Sequence, residues 1–326
     1  MNKKILLSGI QPSGKPHIGN YFGMMKQMIE MQDSHESYFF IPDYHALNSV
    51  QDKEVLKDNI LNLVIDYLAI GFDPQKSVIF KQSDVSEHTE LAWIFDTITP
   101  MAYLERAHAY KDAEANKKEI NVGTFNYPML MAADILLYDV DVVPVGQDQK
   151  QHVEYARDTA QKFNNIFKTE ILKLPQSKIM QEVAVVPGTD GQKMSKSYGN
   201  TIPLFATHDE IKKAVMSIVT DSRGIEEKRN PEEDNVFKLH RLFSTQDELN
   251  DLRQKYENGG FSHKESKEIL IKNIETFIAP LREKREKLAH DVDYVLDVLK
   301  EGGKRAKQKA EKKMDQVREV IGVKLY

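Results

Sequence analysis

The sequence predicts an α/β fold, a doubly wound parallel sheet followed by an all-helical domain. Three observations carry this. Through residues 1–190, short near-continuous apolar runs alternate with segments of helical period, as in a parallel sheet covered on both faces. Beyond about residue 205 strand signals fade and amphipathic helices follow one another. The chain has 326 residues, enough for two units of ordinary size.

The elements follow in order. Lys4–Gly9, KILLSG, reads as a strand. IGNYFGMMKQMIEMQ reads as a helix with Ile18, Phe22, Met25 and Ile29 on one face. SYFFIPD is a second buried strand, and DKEVLKDNILNLVIDYLAIG a long helix stopped by Gly71. SVIF is a third strand, SEHTELAWIFDTI a third helix. After the charged connector YKDAEANKKEINVG, residues 126–163 read as helix, short strand (Asp141–Val145) and helix, with Pro128 in the first turn of the first helix. Glu182–Gly188 reads as another strand. Thr207 and Glu210 form a capping-box pattern, and the rest is helical. The expected boundary falls at 204/205: a catalytic unit over 1–204 with a helical insertion at about 100–170, then a helical unit over 205–326.

Apolar residues make up 40% and charged residues 29%, the balance of a globular protein. The absence of cysteine excludes disulfides, thiolate zinc sites, iron–sulfur clusters and a thiol nucleophile. The apolar run near the N-terminus is too short for a signal-peptide core, and no run approaches the ~20 residues of a membrane span, so a cytoplasmic protein is expected. Residues 300–326 hold nine Lys/Arg against four Asp/Glu, a net of +5, which leaves −10 for the rest of a chain whose total is −5. A basic tail on an acidic body is either a solvated helix face or a footprint for a polyanion.

Two stretches carry chemistry. SGIQPSGKPHIGNYFG follows the first strand and feeds a helix; Gly9, Gly14 and Gly19 punctuate it, and His17 stands where the helix begins. Amides at a helix start attract phosphate, and glycines allow close approach. GQKMSKSYGN, Gly191–Asn200, holds Lys193 and Lys196 on a loop expected to be mobile. Each stretch alone has a bland reading, a simple turn or two solvated lysines. Together, at one end of the sheet, they suggest a clamp that neutralises a leaving pyrophosphate. A third stretch, PMLMAADILLY, carries one charge, Asp134, in eleven residues. Either Asp134 turns outward to water, or a ligand supplies its partner. A donor on such a ligand would then meet the carboxylate in an apolar wall.

KPHIGN and KMSKS resemble the two signature motifs of class I aminoacyl-tRNA synthetases, with Asn20 where most of the class has a second histidine. SGIQPSG, PMLMAADILLY and VPVGQDQKQHVEYARD are similar to the bacterial tryptophanyl-tRNA synthetases. The resemblance runs from about Ile5 to the C-terminus. It implies a Rossmann-like sheet, ATP as substrate with Mg2+ held by phosphates and water, and tRNA(Trp) and L-tryptophan as partners. It also implies a homodimer, no protein-held metal, and a helical unit that reads the anticodon, with the tail adding phosphate contacts. His17, Lys193 and Lys196 would be catalytic. Gln11, Pro12, Ser13, Gly19, Asn20, Gly146, Gln147, Asp148, Val186, Met194, Ser195 and Ser197 would join them around ATP. Asp134, Met131, Tyr127, Gln149, His45, Leu7, Val143, Val145 and Gln11 would hold tryptophan. The common bacterial form has Phe at the Leu7 position, and Lys111 lies near a phosphate-contacting lysine of the family. Alternatives remain: a tyrosine–tRNA ligase, whose pocket would pair its Asp with a Tyr; a nucleotidyltransferase; or a non-catalytic RNA-binding paralogue.

Overall fold

The computed structural model describes residues 3–115, 119–145, 150–179 and 186–326. Five parallel strands form one sheet: β1 (Ile5–Gly9), β2 (Glu36–Ile41), β3 (Ser77–Lys81), β4 (Val142–Val145) and β5 (Gln176–Ile179), in the order β3-β2-β1-β4-β5. The chain builds outward from β1 to β2 and β3, then returns to β1's other side with β4. The switch point therefore lies between β1 and β4, where open parallel sheets bind ligands.

Alternation along the strands divides the core into two faces. Leu6, Phe39, Ile41 and Ile79 pack into one cluster with α1 (Ile18–Asn20), α2 (Lys26–Met31) and α4 (Lys53–Ile70). Leu7, Tyr38, Phe40, Val78 and Phe80 pack into the other with α5 (Glu87–Ile98), α8 (Val122–Leu136) and α9 (Lys150–Ile166). Short helices α3 (Asp43–Ala46), α6 (Met101–Leu104) and α7 (His108–Ala115) lie between these. Asp52 caps α4 by accepting from Val55 N–H, and Gly71 ends it with φ 113°.

The C-terminal region is helical: α10 (His208–Met216), α11 (Asn235–Phe243), α12 (Gln246–Asn258), α13 (His263–His290) and α14 (Val292–Val320). Capping boxes start α10 (Thr207 with Glu210), α12 (Thr245 with Glu248) and α13 (Ser262 with Glu265). α13 lies on α4, where Arg285 Nε donates to the buried Asp66 at 2.6 Å. α14 runs along the edge strand β3. Val295, Val298 and Leu299 join the first cluster; Ala306, Ala310, Met314 and Val317 join the second. The helix crosses the sheet edge at Gly302 and Gly303, where a Cβ on Gly302 would stand 1.8 Å from the Ile79 carbonyl oxygen.

Several expectations change. The first helix is not regular: a π-helical turn, Tyr21–Met25, separates α1 from α2, so the fully buried positions become Ile18, Phe22, Met25, Met28 and Met31, with Ile29 only half-buried. α8 starts at an Asn121 cap, so Pro128 sits inside the helix and not in its first turn. The short strand expected at Asp141–Val145 forms β4, Val142–Val145, beside β1. The fifth strand is Gln176–Ile179; of the expected strand Glu182–Gly188, residues 182–185 lie outside the described residues. Three of the tail's basic residues make contacts with the rest of the fold. Lys313 pairs with Asp139, Arg318 with Glu90, and Arg305 donates to the carbonyls of Pro74 and Ser77. Among the described residues no helix is long and apolar enough to cross a membrane.

Candidate active site

Two joined cavities open at the switch point. The inner one, about 320 Å³, is lined by the end of β1 (Leu7, Ser8, Gly9), by Val143 and Pro144 of β4, and by Met131, Asp134 and Ile135 of α8. The outer one, about 780 Å³, adds Gln11, His45 and Tyr127. Both share Gly9, Phe40, Met131, Asp134 and His152. Gly9 is required here: a Cβ would come within 2.5 Å of the Phe40 ring that closes the cleft. Leu7, Gln11, His45, Tyr127, Met131, Asp134 and Val143 are thus brought together. Tyr127 reaches His152 Nε2 with its hydroxyl and meets the His45 ring edge-on.

Asp134 is 1% exposed, so it is not turned to water, and it already has protein partners. Gln82 Nε2 donates to Oδ1 at 2.7 Å, and His45 Nε2 lies 3.1 Å from Oδ2. His88 Nδ1 stands 2.6 Å from Oδ1, short but bent away from a straight hydrogen bond. Burial alone pushes the carboxyl's pKa up, but His88 and His45 outweigh it and hold it at about 2. Asp134 is therefore an ionised acceptor in an apolar wall.

The turn after β1 sits beside this cleft. Asn20 Oδ1 accepts from His17 N–H, the cap that the departure from a second histidine supplies. The His17 ring is buried and folds over Gly19, where a Cβ would lie 2.9 Å from Nδ1. Among the described residues that Nδ1 has no partner. Burial, with the Lys196 ammonium adding to it, lowers the His17 pKa to about 4, so the ring is neutral at pH 7. A buried neutral imidazole with an unpaired nitrogen beside glycine-bordered amides suits a phosphate oxygen.

The lysine loop is more firmly held than its composition suggests. Pro187 bridges Lys193, and Met194 N–H donates to the Val186 carbonyl at 2.9 Å. Asn200, fully buried, accepts from Ser195 N–H and donates to Asp190 and the Lys193 carbonyl. Met194 and Val186, expected to touch ATP, bury their side chains in the core. Lys193 is exposed; Lys196 Nζ donates to the carbonyls of Ser13 and Gly14 at 3.2 and 3.1 Å. Ser195 Oγ accepts from Ser197 N–H. Pro12 is buried beneath the turn while Gln11 and Ser13 are exposed. The two predicted stretches therefore do meet, through Lys196.

The family model for class I tRNA synthetases (W and Y) matches residues 2–279. The tryptophan–tRNA ligase of Fusobacterium nucleatum is 53% identical over 317 residues, 97% of each chain. That of Rhodopirellula baltica is 48% identical, over 98% of this chain and 99% of its own. The chain belongs to the tryptophanyl-tRNA synthetases. The crystal structure of the Campylobacter jejuni tryptophanyl-tRNA synthetase, complexed with ADP and tryptophan, is 46% identical and matches with a TM-score of 0.93, over 98% of this chain and 99% of that one.

Not every expected residue of this synthetase can be placed. Gly146, Gln147, Asp148 and Gln149 lie outside the described residues, and of Val145 only the backbone at the end of β4 is described. Lys111 is exposed on α7, outside the residues that line either cavity. Sequence reasoning missed Gln82, His88, Tyr138 and Asn200. A signal for His88 existed: it shares the apolar face of α5 with Leu91, Ala92 and Phe95, an odd place for an imidazole.

Proposed function

We propose that this chain activates L-tryptophan with ATP and transfers it to tRNA(Trp). The observation that carries this is the inner cavity, mostly apolar, with the ionised Asp134 as its one carboxylate beside Ser8 and His152, opening beside the phosphate turn. Indole fits such a wall and brings the one donor N–H that the carboxylate accepts. A tyrosine hydroxyl also donates, but no tyrosine stands at Met131–Ala133 to take its second hydrogen bond.

In this reading Met131, Val143, Leu7 and Val145 hold the ring. Tyr127, Gln11 and Gln149 bind the ammonium and carboxylate, with His45 beside them. ATP lies over residues 11–20, with Gly146–Asp148 and residues 193–197 closing on it. The tryptophan carboxylate attacks the α-phosphorus; the bond to the bridging β-oxygen breaks, and pyrophosphate leaves. No enzyme nucleophile is needed, so catalysis is positioning and charge stabilisation. The neutral His17 donates to a phosphate oxygen, and Lys193 and Lys196 offset the charge on pyrophosphate. Magnesium enters bound to ATP, held by the phosphates and water. The terminal ribose hydroxyl of tRNA then takes the acyl group and AMP departs. The helices after residue 205 read the anticodon, and the enzyme works in the cytoplasm as a homodimer. Trp93, Met101 and Val122, 71%, 68% and 80% exposed on neighbouring helices, support the dimer.

ATP–pyrophosphate exchange with each of the twenty amino acids tests the reading. Exchange with tryptophan alone is expected, reduced about 10²–10³-fold by Lys196→Ala. Exchange with tyrosine instead, or with none in folded protein, overturns it.

A further inference from the structure

Gln82 and His88 stand behind Asp134 and line neither cavity. They come from the turn after β3 and the first turn of α5, and both are fully buried. Both end on one oxygen of Asp134, Oδ1, at 2.7 and 2.6 Å. An ionised carboxylate only accepts, so His88 Nδ1 carries a proton whatever the ring's charge. Nε2, 2.8 Å from the Tyr138 hydroxyl, makes the second bond that holds the ring. Oδ1 is thus met from behind by the Gln82 hydrogen bond and by the short, bent contact of His88. Among the described residues Oδ2 meets one donor, His45 Nε2 at 3.1 Å, which leaves one position for a further donor. The carboxylate bordering the cleft offers a single open place, and it is an acceptor.

We propose that His88 is a positioning residue for substrate choice: with Gln82 it makes Asp134 a one-place acceptor that demands an N–H donor from the amino acid in the cleft. This rests on the reading of the cleft as the tryptophan site. The apolar walls measure the ring, and the carboxylate held by His88 tests for the donor. A ligand of the same shape without that N–H leaves a buried anion short of its fourth partner, the costly outcome. Without His88, Oδ1 has an empty position, the carboxylate turns about its own bond, and the test for a donor blurs.

The experiment compares L-tryptophan with L-β-(benzothiophen-3-yl)alanine, in which sulfur replaces the N–H, by ATP–pyrophosphate exchange. Wild type is expected to prefer tryptophan by about 10²-fold or more in kcat/KM. His88→Leu is expected to cut that preference at least about tenfold, through a higher KM for tryptophan with little change for the analogue. His88→Asn, whose amide nitrogen falls near the place of Nδ1, restores most of it. The preference is a ratio within each variant, so partial loss of folded protein cancels. An unchanged ratio in His88→Leu, or a ratio in His88→Asn as low as in His88→Leu, overturns the proposal. If His88→Leu does not fold, Tyr138→Phe decides: a roughly threefold fall in the ratio is expected, and none overturns it. Wild type without tryptophan-dependent exchange sinks the reading of the cleft itself, a separate result.

Discussion

His17 and His240 are buried histidines on different elements, and each is held neutral by its surroundings. Burial lowers both pKa values to about 4; at His240 the Ser266 carbonyl, Asp234 and Glu248 oppose it and lose. The unfolded chain protonates such groups near their ordinary value of about 6.5. As pH falls from 6.5 towards 4 the unfolded state therefore binds more protons, and stability drops across that window; above it the contribution is fully present. Each shift is worth a few kcal/mol. Denaturant unfolding between pH 7.5 and 5 should show the decline. His240→Asn should start lower, having lost bonds to Ser244 and Ser266, yet decline less steeply. Equal slopes in the two proteins would count against the assignment.

At the scale of elements, legibility followed how local each cause is. β1, β2 and β3 are apolar runs between turn signals and could be read directly. β5, QSKI, is three polar residues and one apolar, and only its neighbour β4 makes it a strand. The π turn is set by packing of Phe22 and Met25 under the C-terminal helices, where Phe22 meets Phe243 and Phe277. In the site, Asp134 was legible as one charge in an apolar run. Its partners lie 52 and 46 residues upstream on other elements, beyond any periodicity argument. Asn200 was legible as part of a turn, but its hold on the lysine loop was not. α14 shows tertiary packing reversing a local preference. Gly→Ala inside a helix ordinarily stabilises by about 1 kcal/mol. Gly302→Ala should instead destabilise by about 1–3 kcal/mol, because its Cβ would collide with the Ile79 carbonyl oxygen. Urea unfolding reads the sign directly, and a more stable variant would refute the close seat.

For the whole molecule, one face remains to be explained. Trp93, Met101 and Val122 are exposed on α5, α6 and α8, the last being the helix that carries Asp134. If this face joins two copies, Trp93→Glu should shift the protein towards monomer in sedimentation equilibrium. A wild-type monomer, or a variant dimer of equal strength, would dismiss it. The β3 edge of the sheet has its own demand. β3 is an edge strand, and the helix that covers it begins more than two hundred residues later in the chain. An uncovered edge invites pairing with other chains. During synthesis on the ribosome β1, β2 and β3 emerge early, and β3 waits for α14 while the sheet and the other helices are made. A nascent chain, or one interrupted before α14, therefore carries a sticky border that the full fold hides. The Gly302–Gly303 seat closes that border last, and its arrival marks the moment when a growing chain stops being a hazard to its neighbours.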